Sequence, residues 1–174
     1  ELLPATLHGK SNLIIGATGV GKTFVAGELL KELNSRNYFN NQSKASPFPV
    51  IYLTPSSVIS QTQEVIMGQF GVSNTFITNY DQLRSSLGNL WLSWQTRSDG
   101  EIEPLWHQER MPRLMILDEC QKVKNQHTLQ SKIAVSFIRQ GGQVIFMSAT
   151  PGGRVSEYRT ICLALKPSLY IGSH

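Results

Sequence analysis

The segment that most constrains this chain is a glycine-rich turn set between an apolar run and an amphipathic stretch. It reads Gly16-Ala17-Thr18-Gly19-Val20-Gly21-Lys22-Thr23 and fits the phosphate-binding pattern G-x-x-x-x-G-K-[ST] at every position. The run Asn12–Ile15 before it predicts a short buried strand, and Phe24–Leu33 after it predicts a helix. A helix N-terminus directs free backbone N–H groups at an anion. We therefore expect a phosphate site in which Lys22 reaches the β- and γ-phosphates and the Thr23 hydroxyl binds Mg²⁺.

A second motif consists of two carboxylates at the end of a predicted strand. The apolar run Arg113–Leu117 leads into Asp118-Glu119-Cys120-Gln121. A carboxylate at a strand tip can hold the water shell of Mg²⁺, which is the role we expect for Asp118, and Glu119 beside it can polarise an attacking water. The alternative is a pair of solvated loop residues, which is the weaker interpretation once a phosphate loop precedes them.

A third motif is a cluster of small residues after another predicted strand. The run Gln143–Met147 ends in Ser148-Ala149-Thr150, whose hydroxyls can hydrogen-bond a neighbouring strand tip and sense its state. A Ser/Thr turn after a strand is common, so the motif is informative only because it comes third, after the other two.

The composition predicts one globular domain over residues 1–174. Of the 174 residues, 40% are hydrophobic and 16% are charged, which is enough apolar content for a real core. No stretch approaches transmembrane length and no signal peptide opens the chain, so we expect an intracellular, reducing compartment and no membrane partner. Two cysteines do not suggest a disulfide scaffold, and four scattered histidines lack zinc-ligand spacing. The net charge of +4 agrees with an anionic partner.

The order of apolar runs predicts an α/β fold in which helices cover both faces of a parallel sheet. The predicted strands are Asn12–Gly16, Val50–Thr54, Thr75–Asn79, Arg113–Asp118 and Gln143–Ser148. The predicted helices are Lys22–Ser35, Ser57–Gly68, Tyr80–Gly88, Thr128–Gln140 and Val155–Leu165. Between these elements, the Asn-, Ser- and Pro-rich segment Asn34–Pro49 predicts a mobile loop.

One insertion interrupts this alternation. The segment Leu90–His107 places aromatic and alternating residues on both sides of Asp99-Gly100, which is a β-hairpin signature. It carries all three tryptophans of the chain, Trp91, Trp94 and Trp106. They could stack on nucleic-acid bases or pack the hairpin onto the sheet or onto another domain, and packing is the favoured interpretation.

The three motifs, in this order, resemble the first motor domain of superfamily 2 helicases and translocases. The resemblance implies a RecA-like P-loop three-layer sandwich with ATP and Mg²⁺ as cofactors, Gln121 beside the catalytic pair, and Ser148-Ala149-Thr150 as the relay of lobe closure. The run Leu53-Thr54-Pro55-Ser56-Ser57 is similar to motif Ia of that family, and Ile77-Thr78-Asn79-Tyr80-Asp81-Gln82-Leu83 is similar to motif Ib. This implies that Thr54, Pro55 and Thr78 contact the nucleic-acid backbone, without reading sequence.

Within that superfamily, the chain resembles the Snf-type remodelling ATPases most. The run Asp118–Asn125 is similar to their extended acidic signature, and Pro55–Gln61 is similar to their Pro-x-Ser-apolar-apolar-x-Gln run. Three features depart from that type. The loop Ala17-Thr18-Gly19 is closer to DEAD-box or DEAH-type enzymes, the third motif is Ser-Ala-Thr rather than Thr-Gly-Thr, and Gln121 stands where His is usual.

The resemblance implies the ATP-binding lobe of an ATP-dependent nucleic-acid translocase, acting on DNA rather than RNA. Two alternatives remain: a strand-separating DEAD-box or DEAH-type helicase on RNA or DNA, and a nucleotide-binding interaction module with negligible turnover alone. The chain begins within what resembles the helix before the phosphate loop. We therefore expect the adenine-reading segment and the second RecA-like lobe to lie elsewhere in a longer protein.

Overall fold

A parallel sheet of five strands forms the centre of the fold, as the sequence predicts. The computed structural model describes residues 2–16, 21–40, 46–120 and 128–149. Within them, the strands are β1 Asn12–Ile15, β2 Val50–Leu53, β3 Thr75–Thr78, β4 Leu92–Thr96, β5 Ile102–Trp106, β6 Leu114–Asp118 and β7 Gln143–Ser148. Five of them form the central sheet in the order β1-β7-β6-β2-β3, and every neighbouring pair is parallel.

The helices follow the predicted order, but two of them differ in geometry from the prediction. They are α1 Leu2–Leu7, α2 Lys22–Ser35, α3 Ile59–Gln63, α4 Tyr80–Arg84 and α5 Leu129–Arg139. Around α3, a 3-10 turn over Ser56–Val58 precedes the helix and a π-helical stretch over Glu64–Gln69 follows it. The helix predicted over Tyr80–Gly88 ends at Arg84, because the Ser85 hydroxyl donates to the Gln82 carbonyl at 2.6 Å and competes with the helical ladder.

Two predicted segments reach beyond the described residues. The helix predicted over Val155–Leu165 lies wholly outside them. The predicted loop Asn34–Pro49 is described in part, because residues 41–45 lie outside the described residues. In its first part the chain turns after α2, with Asn37 in the left-handed region. Among the described helices, none is long and apolar enough to cross a membrane.

Alternate residues of the central strands pack on opposite faces of the sheet, so the core has two halves. On one face, strand residues pack against α2; they are Val50, Tyr52, Leu114, Ile116, Ile145 and Met147. On the other face, strand residues pack against α5 and the β4-β5 hairpin; they are Ile51, Leu53, Met115, Leu117, Val144 and Phe146. Because the residues on both faces are apolar, the sheet is buried on both sides, as is typical of parallel sheets.

The insertion is an antiparallel hairpin of β4 and β5 that packs its tryptophans into the second half of the core. Trp91 and Trp106 are each 1% exposed, and the Trp106 Nε1–H donates to the Ser136 hydroxyl at 3.0 Å. Trp94 is partly buried against the same core. The packing interpretation is confirmed, and base stacking by Trp91 or Trp106 is excluded because both rings are inside the protein.

A close contact between α2 and the end of the π-helical stretch gives a stability prediction. Gly27 in α2 lies against the ring of Phe70, so that a Cβ at this position would overlap the ring. An exposed Gly→Ala change inside a helix usually stabilises by about 1 kcal/mol. We expect Gly27→Ala instead to lower the free energy of unfolding by about 1–3 kcal/mol, because the overlap forces Phe70 out of place.

Urea denaturation of the variant measures this difference directly. Gly68→Ala is the matched control, since a Cβ at Gly68 meets nothing within 4 Å. Wild-type stability in Gly27→Ala would show that Phe70 does not hold this contact.

Candidate functional site

The parallel register brings the predicted site residues to one edge of the sheet. Ile15 of β1 pairs with Ser148 of β7, and Asp118 of β6 pairs with Met147 of the same strand. Leu53, the last residue of β2, lies beside Leu117 of β6. Because parallel strands share a direction, the residues that follow these strand ends lie next to one another, and the edge is the usual ligand-binding place of open α/β sheets.

The two described ends of the phosphate loop are anchored by hydrogen bonds. The Gly16 N–H donates to the Ser148 carbonyl at 3.1 Å, and the Lys22 ammonium donates to the Gly16 carbonyl at 3.0 Å. Gly21 precedes α2 with φ of 76°, a left-handed conformation that favours glycine, and no side chain caps the helix there. The predicted ligand residues Ala17, Thr18, Gly19 and Val20 lie outside the described residues.

The Asp118 carboxylate is held in place by two donors. The Thr54 hydroxyl donates to Oδ2 at 3.2 Å, and the Glu119 N–H donates to Oδ1 at 3.0 Å. Burial raises the pKa of Asp118 above its usual value, and the Glu119 charge adds to the rise. The two hydrogen bonds and the Lys22 ammonium act in the opposite direction on this pKa. Lys22 and Asp118 therefore belong to one electrostatic site.

Glu119 occupies an unusual backbone conformation directly after β6. Its φ is 54°, in the left-handed region that non-glycine residues seldom adopt. Such conformations persist only when the surroundings enforce them, and they concentrate at functional sites. The Asp118 carboxylate helps to enforce this turn by accepting the Glu119 N–H. Gln121, predicted to act beside this pair, lies outside the described residues.

The site contains a residue that sequence reasoning missed, the tyrosine of β2. Tyr52 is fully buried on the α2 side of the sheet, and both Asp118 and Thr23 act on the pKa of its hydroxyl. Burial is the main reason that the pKa of Tyr52 is raised, and the Asp118 charge is the second. The sequence did contain a signal for Tyr52. It lies two residues before Thr54, and alternate residues of a strand share a face, so Tyr52 is expected on the same side of the sheet as Thr54.

Two groups of predicted residues are placed at this edge, but their roles stay predictions. Ser148 ends β7 and is fully buried, Ala149 follows it, and Thr150 lies outside the described residues. Thr54 and Thr78 lie on neighbouring strands, and the Thr54 N–H donates to the Thr78 carbonyl at 3.0 Å.

The Thr54 and Thr78 side chains are engaged inside the protein. Thr54 is 1% exposed, and its hydroxyl donates to Asp118, whereas Thr78 is 0% exposed and donates to the Gln82 Oε1 at 2.7 Å. Pro55 is partly exposed, and Ser56 after it is exposed. A nucleic-acid contact at this place would therefore use the chain that follows Thr54 more than its hydroxyl.

The available oxygen donors fit Mg²⁺. Thr23 supplies a hydroxyl and Asp118 a carboxylate, and Mg²⁺ characteristically takes one or two such ligands and keeps several waters. In the part of the chain that the structure describes, no group of three or more His, Cys, Asp or Glu residues could hold a metal ion. The donor set thus suits a hydrated Mg²⁺ shared with a nucleotide.

Comparison with known families identifies the class of protein. The family model for the DEAD/DEAH box helicases matches residues 1–158 of the chain. The chain therefore belongs to the DEAD/DEAH box helicase family, which agrees with the three sequence motifs and with their meeting at one sheet edge. No curated protein matches the chain at a significant level.

The solved structures that share this fold include a helicase domain and a SWI2/SNF2 ATPase core. The helicase domain of Pyrococcus furiosus Hef superposes with a TM-score of 0.61 at 15% identity, covering 94% of this chain and 35% of that one. The SWI2/SNF2 ATPase core of Sulfolobus solfataricus was determined in complex with dsDNA. It superposes with a TM-score of 0.59 at 19% identity, covering 95% of this chain and 33% of that one. The chain thus spans about a third of the length of these structures. At such identities, the likeness establishes the RecA-like α/β fold.

Proposed function

We propose that this chain is the ATP-binding lobe of a motor that couples ATP hydrolysis to movement along duplex DNA. The observation that carries the proposal is the meeting of Lys22, Thr23 and Asp118 at one edge of the sheet. A phosphate-loop lysine, a hydroxyl and a buried carboxylate together provide the contacts that a magnesium nucleotide requires. The family match supports the same conclusion.

Each residue of the site has a separate task in this proposal. The α2 N-terminus and Lys22 bind the phosphates, while Thr23 and Asp118 hold Mg²⁺. The bound ion would neutralise charge that develops on the phosphate oxygens. The Thr54 hydroxyl fixes the orientation of Asp118 by donating to its carboxylate at 3.2 Å. Glu119 orients and polarises the attacking water, because it follows Asp118 directly in the turn after β6.

The third motif would transmit nucleotide state through the strand edge. The Ser148 carbonyl accepts the N–H of Gly16, the first residue of the phosphate loop, at 3.1 Å. A change in the loop on nucleotide binding therefore acts directly on the end of β7. We propose that Ser148, Ala149 and Thr150 use this contact to relay closure of a second RecA-like lobe supplied by a longer protein, and that Gln121 takes part in the same coupling.

The nucleic-acid track lies at the other end of the same edge. In the strand order, β7 and β6 separate the phosphate loop from motif Ia. Thr54 follows β2, and Thr78 is the last residue of the neighbouring strand β3. The fold likeness to a SWI2/SNF2 core solved with dsDNA favours duplex DNA and a Snf-type motor. A strand-separating helicase is the second candidate, because the family match is to the DEAD/DEAH box helicases.

The proposed division of labour at the nucleotide site gives a mutational prediction. We expect Lys22→Ala to weaken ATP binding by tenfold or more, since a charge-assisted hydrogen bond contributes about 1.5–3 kcal/mol. We expect Glu119→Gln to keep ATP affinity and to lower hydrolysis by about 10²–10⁴, the usual contribution of a general base. Equilibrium ATP binding by this chain and ATP turnover by the full-length protein measure the two effects.

The matched control for the lysine is Lys31→Ala, which removes an exposed ammonium from the same helix. It should leave both measurements unchanged. Near-normal turnover in Glu119→Gln would remove Glu119 from the mechanism, and normal ATP affinity in Lys22→Ala would overturn the assignment of the phosphate site.

Binding of duplex DNA to this chain should depend on salt but not on sequence. Contacts to phosphates alone give a logarithmic salt slope of about −0.9 per contact. A carboxylate introduced at exposed Ser56, next to Pro55, should repel the DNA backbone and weaken binding. Fluorescence anisotropy with wild type and Ser56→Glu measures both effects, and parallel titrations with single-stranded DNA and RNA compare the substrates.

Ser98→Glu is the matched control, because it adds the same charge at an exposed position at the tip of the β4-β5 hairpin. It should bind DNA as wild type does. Salt-insensitive, sequence-specific binding, or equal weakening by the two variants, would contradict a backbone track beside Thr54 and Thr78.

A further inference from the structure

Tyr52 lies between the sheet and α2, on the face of the sheet that Asp118 shares. It pairs with Ile116 of β6, two residues before Asp118, and alternate residues of a strand share a face. Its side chain is fully buried within the core half that contains α2. The ring therefore points from the sheet towards the helix that begins with Lys22 and Thr23.

The Tyr52 hydroxyl is a buried polar group without a hydrogen bond of good geometry. The oxygen is buried, and no described residue is its hydrogen-bond partner. The Thr23 side chain is close enough to lower the pKa of Tyr52, and the Asp118 charge is close enough to raise it. Buried hydroxyls almost always have partners, so an exception calls for an explanation. Here, the two side chains that act on the pKa of the hydroxyl are the two proposed ligands of Mg²⁺.

We propose that Tyr52 is a positioning residue of the Mg²⁺ site, whose hydroxyl connects Thr23 to Asp118. A hydroxyl that ligates a cation through its oxygen must direct its proton elsewhere, and the Tyr52 oxygen can accept that proton. The Tyr52 hydroxyl can then donate its own proton to the Asp118 carboxylate, since a phenol both accepts and donates. This inference rests on the proposed function, because it assumes that Thr23 and Asp118 bind the ion.

Groups that hydrogen-bond to metal ligands tune affinity by orienting those ligands. Their removal typically weakens metal binding by about 10–100-fold. Tyr52→Phe removes the hydroxyl while keeping the ring, so that the packing between β2 and α2 is preserved. The phosphate contacts of Lys22 and the loop do not pass through Tyr52. The variant should therefore lose Mg²⁺-dependent affinity and keep Mg²⁺-independent affinity for a nucleotide.

A tyrosine on the opposite side of the sheet provides a matched control. Tyr80 is also buried, and its hydroxyl also has no hydrogen-bond partner among the described residues. It belongs to the core half that contains α5 and the hairpin, and burial, Cys120 and the Asp118 charge raise its pKa, but Thr23 does not act on it. Tyr80→Phe deletes the same atom from a comparable environment without touching Thr23.

The test is equilibrium binding of ADP to this chain, measured by calorimetry in Mg²⁺ and in EDTA. We expect Tyr52→Phe to bind ADP about tenfold more weakly than wild type in Mg²⁺ and equally in EDTA. Tyr80→Phe should match wild type in both buffers. In a Thr23→Ala background, Tyr52→Phe should cause no further loss, because the ligand that it positions is absent.

Each of the other outcomes overturns a distinct claim. Unchanged Mg²⁺-dependent affinity in Tyr52→Phe, or an equal loss in Mg²⁺ and EDTA, rules out the positioning role while leaving the proposed function intact. If Tyr52→Phe lowers the ADP affinity of Thr23→Ala as much as it lowers that of wild type, the positioning role is also ruled out and the proposed function is left intact. Absence of ADP binding by wild type in both buffers overturns the proposed function, and with it this inference.

Discussion

The parallel pairing of β6 between β2 and β7 is the constraint on which the rest of the site depends. It places Asp118 at the end of the central strand, where Thr54 from β2 reaches its carboxylate at 3.2 Å. On the other side, β7 carries Ser148 to the beginning of the phosphate loop. A shift of one residue in either register would turn Asp118 towards the opposite face, because side chains alternate along a strand.

This architecture also explains why an acidic group can remain at a half-buried strand end. Burial raises the pKa of Asp118, which disfavours its charged form, while two hydrogen bonds and Lys22 favour the charged form. A bound cation would lower the pKa of Asp118, as the Lys22 charge does. The carboxylate is thus poorly solvated at this strand end, and a bound cation would favour its charged form.

Much of the fold and of the nucleotide site could be predicted because local patterns carry them. The five parallel strands, the hairpin and the order of the three motifs each have a period or a spacing that a sequence displays. Tyr52 could not be found in this way, since its role depends on the pairing of β2 with β6. The π-helical stretch before Phe70 and the left-handed Glu119 likewise have no period or spacing that the sequence displays. The engagement of the Thr54 and Thr78 hydroxyls inside the protein has the same origin.

We propose that this chain is one lobe of a two-lobe ATP motor, and ATP turnover with duplex DNA tests this proposal most directly. The rates to compare are those of this chain alone and of a longer protein in which the proposed second RecA-like lobe is present. An arginine finger supplied from another domain contributes about 10³–10⁵ to the rate of related phosphoryl transfers. The account predicts a deficit of that order for the chain alone. Turnover by the chain alone at the full-length rate would contradict the account and indicate a self-sufficient ATPase.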